Sequence, residues 1–272
     1  MRVSKEKDLI EFIATKEYRK FSEFCDACRR YRYIGLCYGP PGVGKTLSAR
    51  KYALSDVLDE CFGKVAMCEE KQPPKIMSTC RTVLYTPPVS NTPKQINADI
   101  EKLRHRLKFT VRNAGKPKES DFWEAPADCT ELIIVDEADR LKLQGLEQVR
   151  DIFDKSNLGL VFIGMPGLEK RLSRYPQLYS RVGFVHEFRQ LSQEEIIYVL
   201  EHKWLELGHS LDSRDVADGD VIAAIMRITQ GNFRLLQRLF LQAERVMKIN
   251  GLTTITKDVV EAARENLVIG MI

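Results

Sequence analysis

No stretch of the 272-residue chain reaches the roughly 18 uncharged apolar residues that a membrane span requires. The opening MRVSKEKDLIEFI also lacks the continuous apolar centre of a secretory signal, so a cytoplasmic location is expected. There is no internal repeat and no low-complexity tail. An excess of one charge is missing too. With 42 Lys and Arg against 38 Asp and Glu the net charge is +4, too small for the average composition to favour nucleic acid over any other partner. The seven cysteines, an odd number, are scattered at 25, 28, 37, 61, 68, 80 and 129 in a chain long enough to fold without covalent staples, so reduced thiols are expected. Cys25-x-x-Cys28 offers half of a zinc site but sits in a helical pattern with no second CxxC and no nearby His, and no metal is assigned to it. Phe12, Phe21 and Phe24 fit helix packing better than base stacking.

What the chain does have, at 44% hydrophobic residues, is an ordered alternation of apolar patterns. Residues 5–30 carry a helical pattern. YIGLCY at 33–38 is a short apolar run of buried-strand type, and a helix is expected from Thr46 to about Leu58. TVLY at 82–85, LIIV at 132–135 and GLVFI at 159–163 are three further strand candidates separated by helical segments. Alternation of this kind predicts an α/β fold, a parallel sheet flanked by helices with ligands at the carboxyl ends of the strands. Beyond about residue 190 the pattern is helical only. Ser192 and Glu195 form a capping box, and helices are expected near 218–229, 232–248 and 256–268. The expected division is an N-terminal helical segment at 1–30, an αβα core at 31–190 and a small all-helical unit at 191–272.

Gly39-Pro40-Pro41-Gly42-Val43-Gly44-Lys45-Thr46 fits the phosphate-loop pattern, placed between a strand and a helix as that pattern demands. Its glycines let successive backbone N–H groups turn inward around a β-phosphate, where a side chain would block the turn. Lys45 is expected on the β- and γ-phosphates and Thr46 on Mg²⁺, with Leu47 in the helical turn that caps the phosphates. ATP and Mg²⁺ are the cofactors this implies. At the end of the LIIV strand, Asp136 is placed to hold the metal and Glu137 to act as general base on water. An acid at the second position argues for hydrolysis rather than transfer to a small molecule. The letters DEAD at 136–139 match those of a helicase class, but the chain has no room for the second domain such enzymes need.

With these motifs in place the chain resembles the AAA+ ATPases: GPPGVGKT as the Walker A loop, LIIVDEAD as the Walker B strand and a C-terminal helical lid, over about residues 30–270. The resemblance implies an arginine finger at Arg181, with Arg174 as the alternative, reaching a neighbouring protomer's nucleotide. It also implies a lid arginine at Arg234, within Gly231-Asn232-Phe233-Arg234. One departure stands out. The fourth strand ends on Gly164 and Met165, where the family places a polar residue that touches the γ-phosphate. Within that superfamily LIIVDEADRLK, VRDIFD and LVFIGMPGLEKRLSRYPQLYSR are similar to the transposition regulators TniB, TnsC and phage Mu protein B. That similarity implies an ATP-dependent ring or filament on duplex DNA that recruits a transposase, and possibly a target-selection protein.

The residues themselves add one feature. Lys94 to Lys118 holds five lysines and three arginines against Asp99 and Glu101, a net +6 that exceeds the whole chain's. Lys102, Arg104, Arg106 and Lys108 are the candidate DNA-phosphate contacts, which position a protein without reading sequence. Two other classes fit the same motifs: a replication-initiation or helicase-loading factor, and a nucleotide-gated adaptor acting through protein contacts alone. Because neither Gly164 nor Met165 offers a polar side chain to the γ-phosphate, slow turnover is expected, or a substitute polar group from elsewhere in the chain. Steady-state phosphate release checks this, and a turnover number like that of a fast motor would refute it.

Overall fold

Residues 34–38, 82–85, 132–135 and 159–164 are β-branched or apolar almost throughout, so each must be covered on both faces, which a parallel sheet between helical layers achieves. The computed structural model describes residues 12–63, 73–114, 127–206 and 216–267. These fall into two compact units: Lys20–Gln190 with Asn232–Arg234, and the described residues of Met1–Arg19, Leu191–Gly231 and Leu235–Ile272.

In the first unit β1 (Ile34–Tyr38), β2 (Thr82–Tyr85), β3 (Leu132–Val135), β4 (Gly159–Gly164) and β5 (Val182–Glu187) form one parallel sheet in the order β2-β3-β4-β1-β5. The register pairs Ile34 with Leu160 and Leu132 with Gly159, so all strands start along one edge of the sheet and end along the other. Alternate side chains feed two cores. Leu36, Ile133, Val135, Leu160 and Phe162 meet Ile96, Ile100 and Leu107 of α4 (Pro93–Asn113) and Leu146 and Val149 of α5 (Leu143–Lys155). Cys37, Ile134, Val161 and Ile163 meet Phe21, Phe24, Cys25 and Cys28 of α1 (Lys16–Tyr31) and Ala49 of α2 (Lys45–Tyr52).

Three expectations need correction. The N-terminal helix starts at Lys16 rather than near residue 5: residues 12–15 are not helical, Thr15 caps the helix by accepting from the Tyr18 N–H at 3.1 Å, and 5–11 lie outside the described residues. The helix expected over 46–58 breaks at Leu54, whose φ of 49° is left-handed, into α2 and α3 (Ser55–Gly63). A fifth strand, β5, is present. Its burial alternates along an exposed edge, and Gly183 and His186 dilute the apolar signal.

In the second unit the capping box is formed. Glu195 Oε2 accepts from the Ser192 N–H at 3.0 Å and Ser192 Oγ from the Glu195 N–H at 3.3 Å, starting α8 (Gln193–Glu206). Glu195 Oε1 also accepts from the Glu17 N–H at 2.9 Å. Helices α9 (Val216–Thr229), α10 (Phe233–Asn250) and α11 (Lys257–Glu265) follow, with α11 packed on α9 and α10 placing Leu236, Leu239 and Ala243 in the interior. Helices α6 (Leu168–Leu172) and α7 (Pro176–Tyr179) lie between β4 and β5.

The Cys25-x-x-Cys28 thiols are packing groups. Both are fully buried, burial pushes Cys28 up to about 12, and no group of ligands able to hold a metal exists among the described residues. The backbone of α1 passes so close to the start of β4 that a Cβ on Gly159 would sit 2.4 Å from the Cys28 carbonyl oxygen. Backbone cannot rotate away as a side chain can. Gly159→Ala is therefore expected to cost about 1–3 kcal/mol in urea unfolding; an unchanged midpoint would refute the close approach.

Candidate active site

The loop from Gly39 to Gly44 leaves β1 and enters α2, and its two left-handed residues are both glycine, Gly42 at φ 81° and Gly44 at φ 106°. A side chain at either would strain that turn. Gly39 has a different reason: a Cβ there would meet the Phe188 carbonyl oxygen at 2.1 Å. Of the residues named in this loop, Val43 is buried in the core and Leu47 is exposed at the start of α2, so Val43 offers its backbone only. Lys45 Nζ donates to the carbonyls of Gly39 at 2.6 Å and Pro40 at 2.7 Å. Burial draws the Lys45 ammonium below its ordinary pKa and the charge of Arg234 adds to this, while Cys37, Asp136 and Asp139 oppose it. The lysine thus shares its surroundings with Asp136 and Arg234, two of the groups predicted around it.

The loop is also clamped by the segment that opens α10. Asn232 Nδ2 donates to the Pro41 carbonyl at 3.0 Å, the Arg234 N–H donates to the Gly42 carbonyl at 2.9 Å, and a Cβ on Gly42 would strike Asn232 Oδ1 at 2.5 Å. Arg234 itself is exposed.

Asp136 is 2% exposed. Its Oδ1 accepts from the Glu137 N–H at 2.9 Å, and its Oδ2 is buried with no hydrogen-bond partner. Burial raises the carboxyl above its ordinary pKa, against the opposing pull of the Thr46 side chain, the Glu137 N–H and the Lys45 charge. A buried carboxylate oxygen with no donor, next to a threonine hydroxyl at the start of α2, is the donor set a hydrated Mg²⁺ takes, and the residues present fit that ion.

Glu137 adopts a left-handed conformation, φ 50° and ψ 43°, which is strained for a residue with a side chain and turns the chain sharply at the end of β3. Its carboxylate is ion-paired to Arg140 one turn on, and Arg140 Nη1 donates to the Pro87 carbonyl at 3.0 Å. This glutamate is therefore held by an arginine that the sequence did not single out, although the i,i+3 spacing could have marked it. The end of β4 holds a second group that the sequence did not name. Asp139 Oδ2 accepts from the Met165 N–H at 2.7 Å, and a Cβ on Gly164 would lie 2.5 Å from that oxygen. Gly164 thus makes room for a carboxylate where the resemblance led one to look for a polar side chain on the strand itself.

Arg181 stands elsewhere. It directly precedes β5 and its carbonyl accepts from the Ile34 N–H at 3.1 Å, so it lies at the start of the sheet, while the phosphate loop leaves the other end of β1. Five strand residues at about 3.3 Å each put some 17 Å between those edges. The guanidinium makes a two-point pair with Asp154, 2.5 and 2.9 Å, and also donates to the Gln177 carbonyl. Arg174 is exposed. Of the basic-block candidates, Lys102 is exposed and Arg106 and Lys108 are half-buried on α4. Arg104 does not suit a phosphate contact. Its side chain is 17% exposed and bridges Glu101 and Asp128, so its charge is already neutralised inside the fold. Lys116 and Lys118 lie outside the described residues.

A family model of the AAA domain matches residues 28–172. The chain is 47% identical over 268 residues to a Staphylococcus aureus protein described as a potential ATP-binding protein, covering 96% of this chain and 97% of that one. Among solved structures it is similar to the Thermotoga maritima RuvB Holliday junction branch migration motor, at 17% identity and a TM-score of 0.58, over 92% of this chain and 67% of that one. It is also similar to the Aeropyrum pernix ORC2 protein in its ADPNP–ADP complexes, at 15% identity and 0.56, over 94% and 70%. These two likenesses are of fold.

Because burial raises the Asp136 carboxyl, the folded chain keeps that proton to a higher pH than the unfolded chain, and ionisation at neutral pH opposes folding. Asp136→Asn is expected to raise the Tm of the nucleotide-free protein at about pH 7, with the gain shrinking as pH falls through the raised value to about pH 4, near the ordinary carboxyl pKa. The same variant is expected to lose most of the extra Tm that Mg²⁺ adds to an ATP analogue. Scanning fluorimetry at both pH values checks this; a Tm at or below wild type at neutral pH would contradict the buried-charge account.

Proposed function

We propose that this chain, which belongs to the AAA domain family, is an ATP-hydrolysing switch that assembles on duplex DNA and regulates transposition. The observation that carries the ATPase reading is the Asp136 carboxylate, buried with one oxygen unbonded beside Thr46 and Lys45.

Lys45 exchanges its two loop carbonyls for the β- and γ-phosphate oxygens, which are stronger acceptors because they are charged. The inward N–H groups of the glycine loop and the start of α2 hold the β-phosphate. Thr46 and Asp136 would hold Mg²⁺, which when bound draws negative charge from the β- and γ-oxygens. Glu137 takes a proton from the attacking water at its carboxylate, and for this it must release Arg140. Arg234 lies on the segment clamped to the loop and adds positive charge over the phosphates. Arg181, at the opposite edge of the sheet from its own loop, works on a neighbouring protomer's nucleotide once freed from Asp154; Arg174 is the alternative. A finger supplied in this way makes hydrolysis depend on assembly.

The DNA reading rests on charge placement. Lys94 and Lys102 lie exposed on α4, with Lys108 and Arg106 partly exposed beside them. Contact through these residues would be to the phosphate backbone and would weaken steeply with salt. Similarity to the transposition regulators supplies the transposase as partner. Assembly in the ATP state and release after hydrolysis would time how long the DNA-bound array persists.

Glu137→Gln is expected to bind ATP normally and give longer-lived DNA complexes than wild type, and Lys45→Ala few complexes of any lifetime. Filament or ring counts by electron microscopy, with dissociation followed by fluorescence anisotropy on random-sequence duplex DNA, check both. Equal lifetimes for wild type and Glu137→Gln would remove hydrolysis as the timer; absence of DNA binding in every nucleotide state would remove the DNA role.

A further inference from the structure

Asp139 brings a negative charge to the place where the phosphate loop leaves the sheet, and no step of the hydrolysis described above uses it. Gly164, the last residue of β4, pairs in register with Tyr38, the last residue of β1, and Gly39 follows as the first residue of the loop. A Cβ on Gly164 would lie 2.5 Å from Asp139 Oδ2, so the carboxylate rests against that strand end. Lys45 Nζ is bonded to the carbonyls of Gly39 and Pro40, one and two residues beyond Tyr38. The lysine and the aspartate are therefore neighbours across two adjacent strands. Burial lowers the pKa of the Lys45 ammonium, and Asp139 is among the charges that oppose this.

The carboxylate is fixed in that place. Its Oδ2 accepts from the Met165 N–H at 2.7 Å, while Arg171 Nη1 donates to the Asp139 backbone carbonyl at 2.8 Å and Arg171 Nη2 to the Leu141 carbonyl. Side chain and backbone of Asp139 are thus both tied to the segment after β4. Arg171 reaches backbone oxygens only, and among the described residues no cation is paired with the Asp139 carboxylate. Glu137, by contrast, is paired with Arg140. Asp139 is exposed, so its charge is not spent inside the fold.

ATP and ADP differ by one phosphoryl group and by about one negative charge. The inward N–H groups of the loop hold the β-phosphate, which both nucleotides carry. What separates them is the charge beyond it, at the γ-phosphate that Lys45 takes up in exchange for its two carbonyls. A fixed like charge within about 8 Å of that group, at an effective dielectric between protein surface and water, changes an affinity by ~5-fold.

We propose that Asp139 is a specificity-determining residue of this site: its carboxylate, held against the end of β4, disfavours the γ-phosphate and so weakens ATP relative to ADP. This rests on the ATPase reading above and adds which nucleotide the isolated chain is biased towards. A cation supplied at the same place by a partner would offset the carboxylate, so the ATP state is held most firmly when such a partner is bound.

The test measures dissociation constants for ADP and for a non-hydrolysable ATP analogue, both with Mg²⁺, by microscale thermophoresis on the dilute full chain. Asp139→Asn keeps an oxygen able to accept from the Met165 N–H and removes only the charge, whereas Asp139→Ala removes both. Each variant is expected to tighten the analogue ~5-fold and to leave ADP within about 2-fold of wild type. Retained ADP affinity also shows that the variants fold. A ratio of analogue to ADP affinity that is unchanged or lowered in Asp139→Asn would overturn the proposal. So would a shift confined to Asp139→Ala, which would assign the effect to the hydrogen bond with Met165, or an equal tightening of both nucleotides. All of these leave nucleotide binding in place. Wild type that binds neither nucleotide would overturn the ATPase reading, and the proposal with it.

Discussion

Parallel pairing of the five strands is the constraint on which the other features rest. Side-by-side register sends every strand end of one sense to one edge, so the phosphate loop after β1, the acids after β3 and the Asp139–Met165 contact after β4 converge without any long-range search by loops. The same geometry collects Tyr33, Arg81 and Arg181 at the other edge. A sheet with mixed strand directions would scatter both sets. The two faces of the sheet are therefore occupied by packing helices, and the candidate site gathers where the strands end.

Burial of charge is the second theme. Asp136 and Lys45 are both shifted toward their neutral forms by desolvation, and each feels the other's charge pulling the opposite way. A buried oxygen without a donor raises the free energy of the folded chain, so a cation bound there stabilises the fold as well as the ligand. Partners also hold these side chains in place. Glu137 is held by Arg140, Arg181 by Asp154, and Lys45 by two carbonyls. Glu137, Arg181 and Lys45 are each bonded within their own protomer, and to act in hydrolysis each would exchange that bond for one to water, neighbour or nucleotide. This gives a physical reason to expect slow basal turnover beyond the lack of a polar side chain on Gly164 and Met165.

The phosphate loop and the Walker B strand were legible because their signals are local: glycines where φ must be positive, and two acids at the end of a run too apolar to be anything but buried strand. The capping box at Ser192 was legible for the same reason, since donor and acceptor are three residues apart. The basic block was legible as composition, but Arg104 is bridged to Asp128, 24 residues away in the chain, as well as to Glu101, and no periodicity reports the distant pairing. The break at Leu54 and the edge strand β5 were missed because packing overrides propensity in the first, and an exposed edge weakens the apolar pattern in the second.

By itself the sequence determined the order of the first four strands, the loop that cradles phosphate and the identity of the acids beside it, because each of these is set by backbone conformation or spacing within a few residues. Tertiary structure alone decided which charges are spent inside the fold, where Asp139 enters beside Gly164, and that Arg181 lies at the edge remote from the phosphate loop. The physical reason is that ion pairing, desolvation and strand register depend on groups brought together across the sheet, and a one-dimensional pattern carries no distance between them.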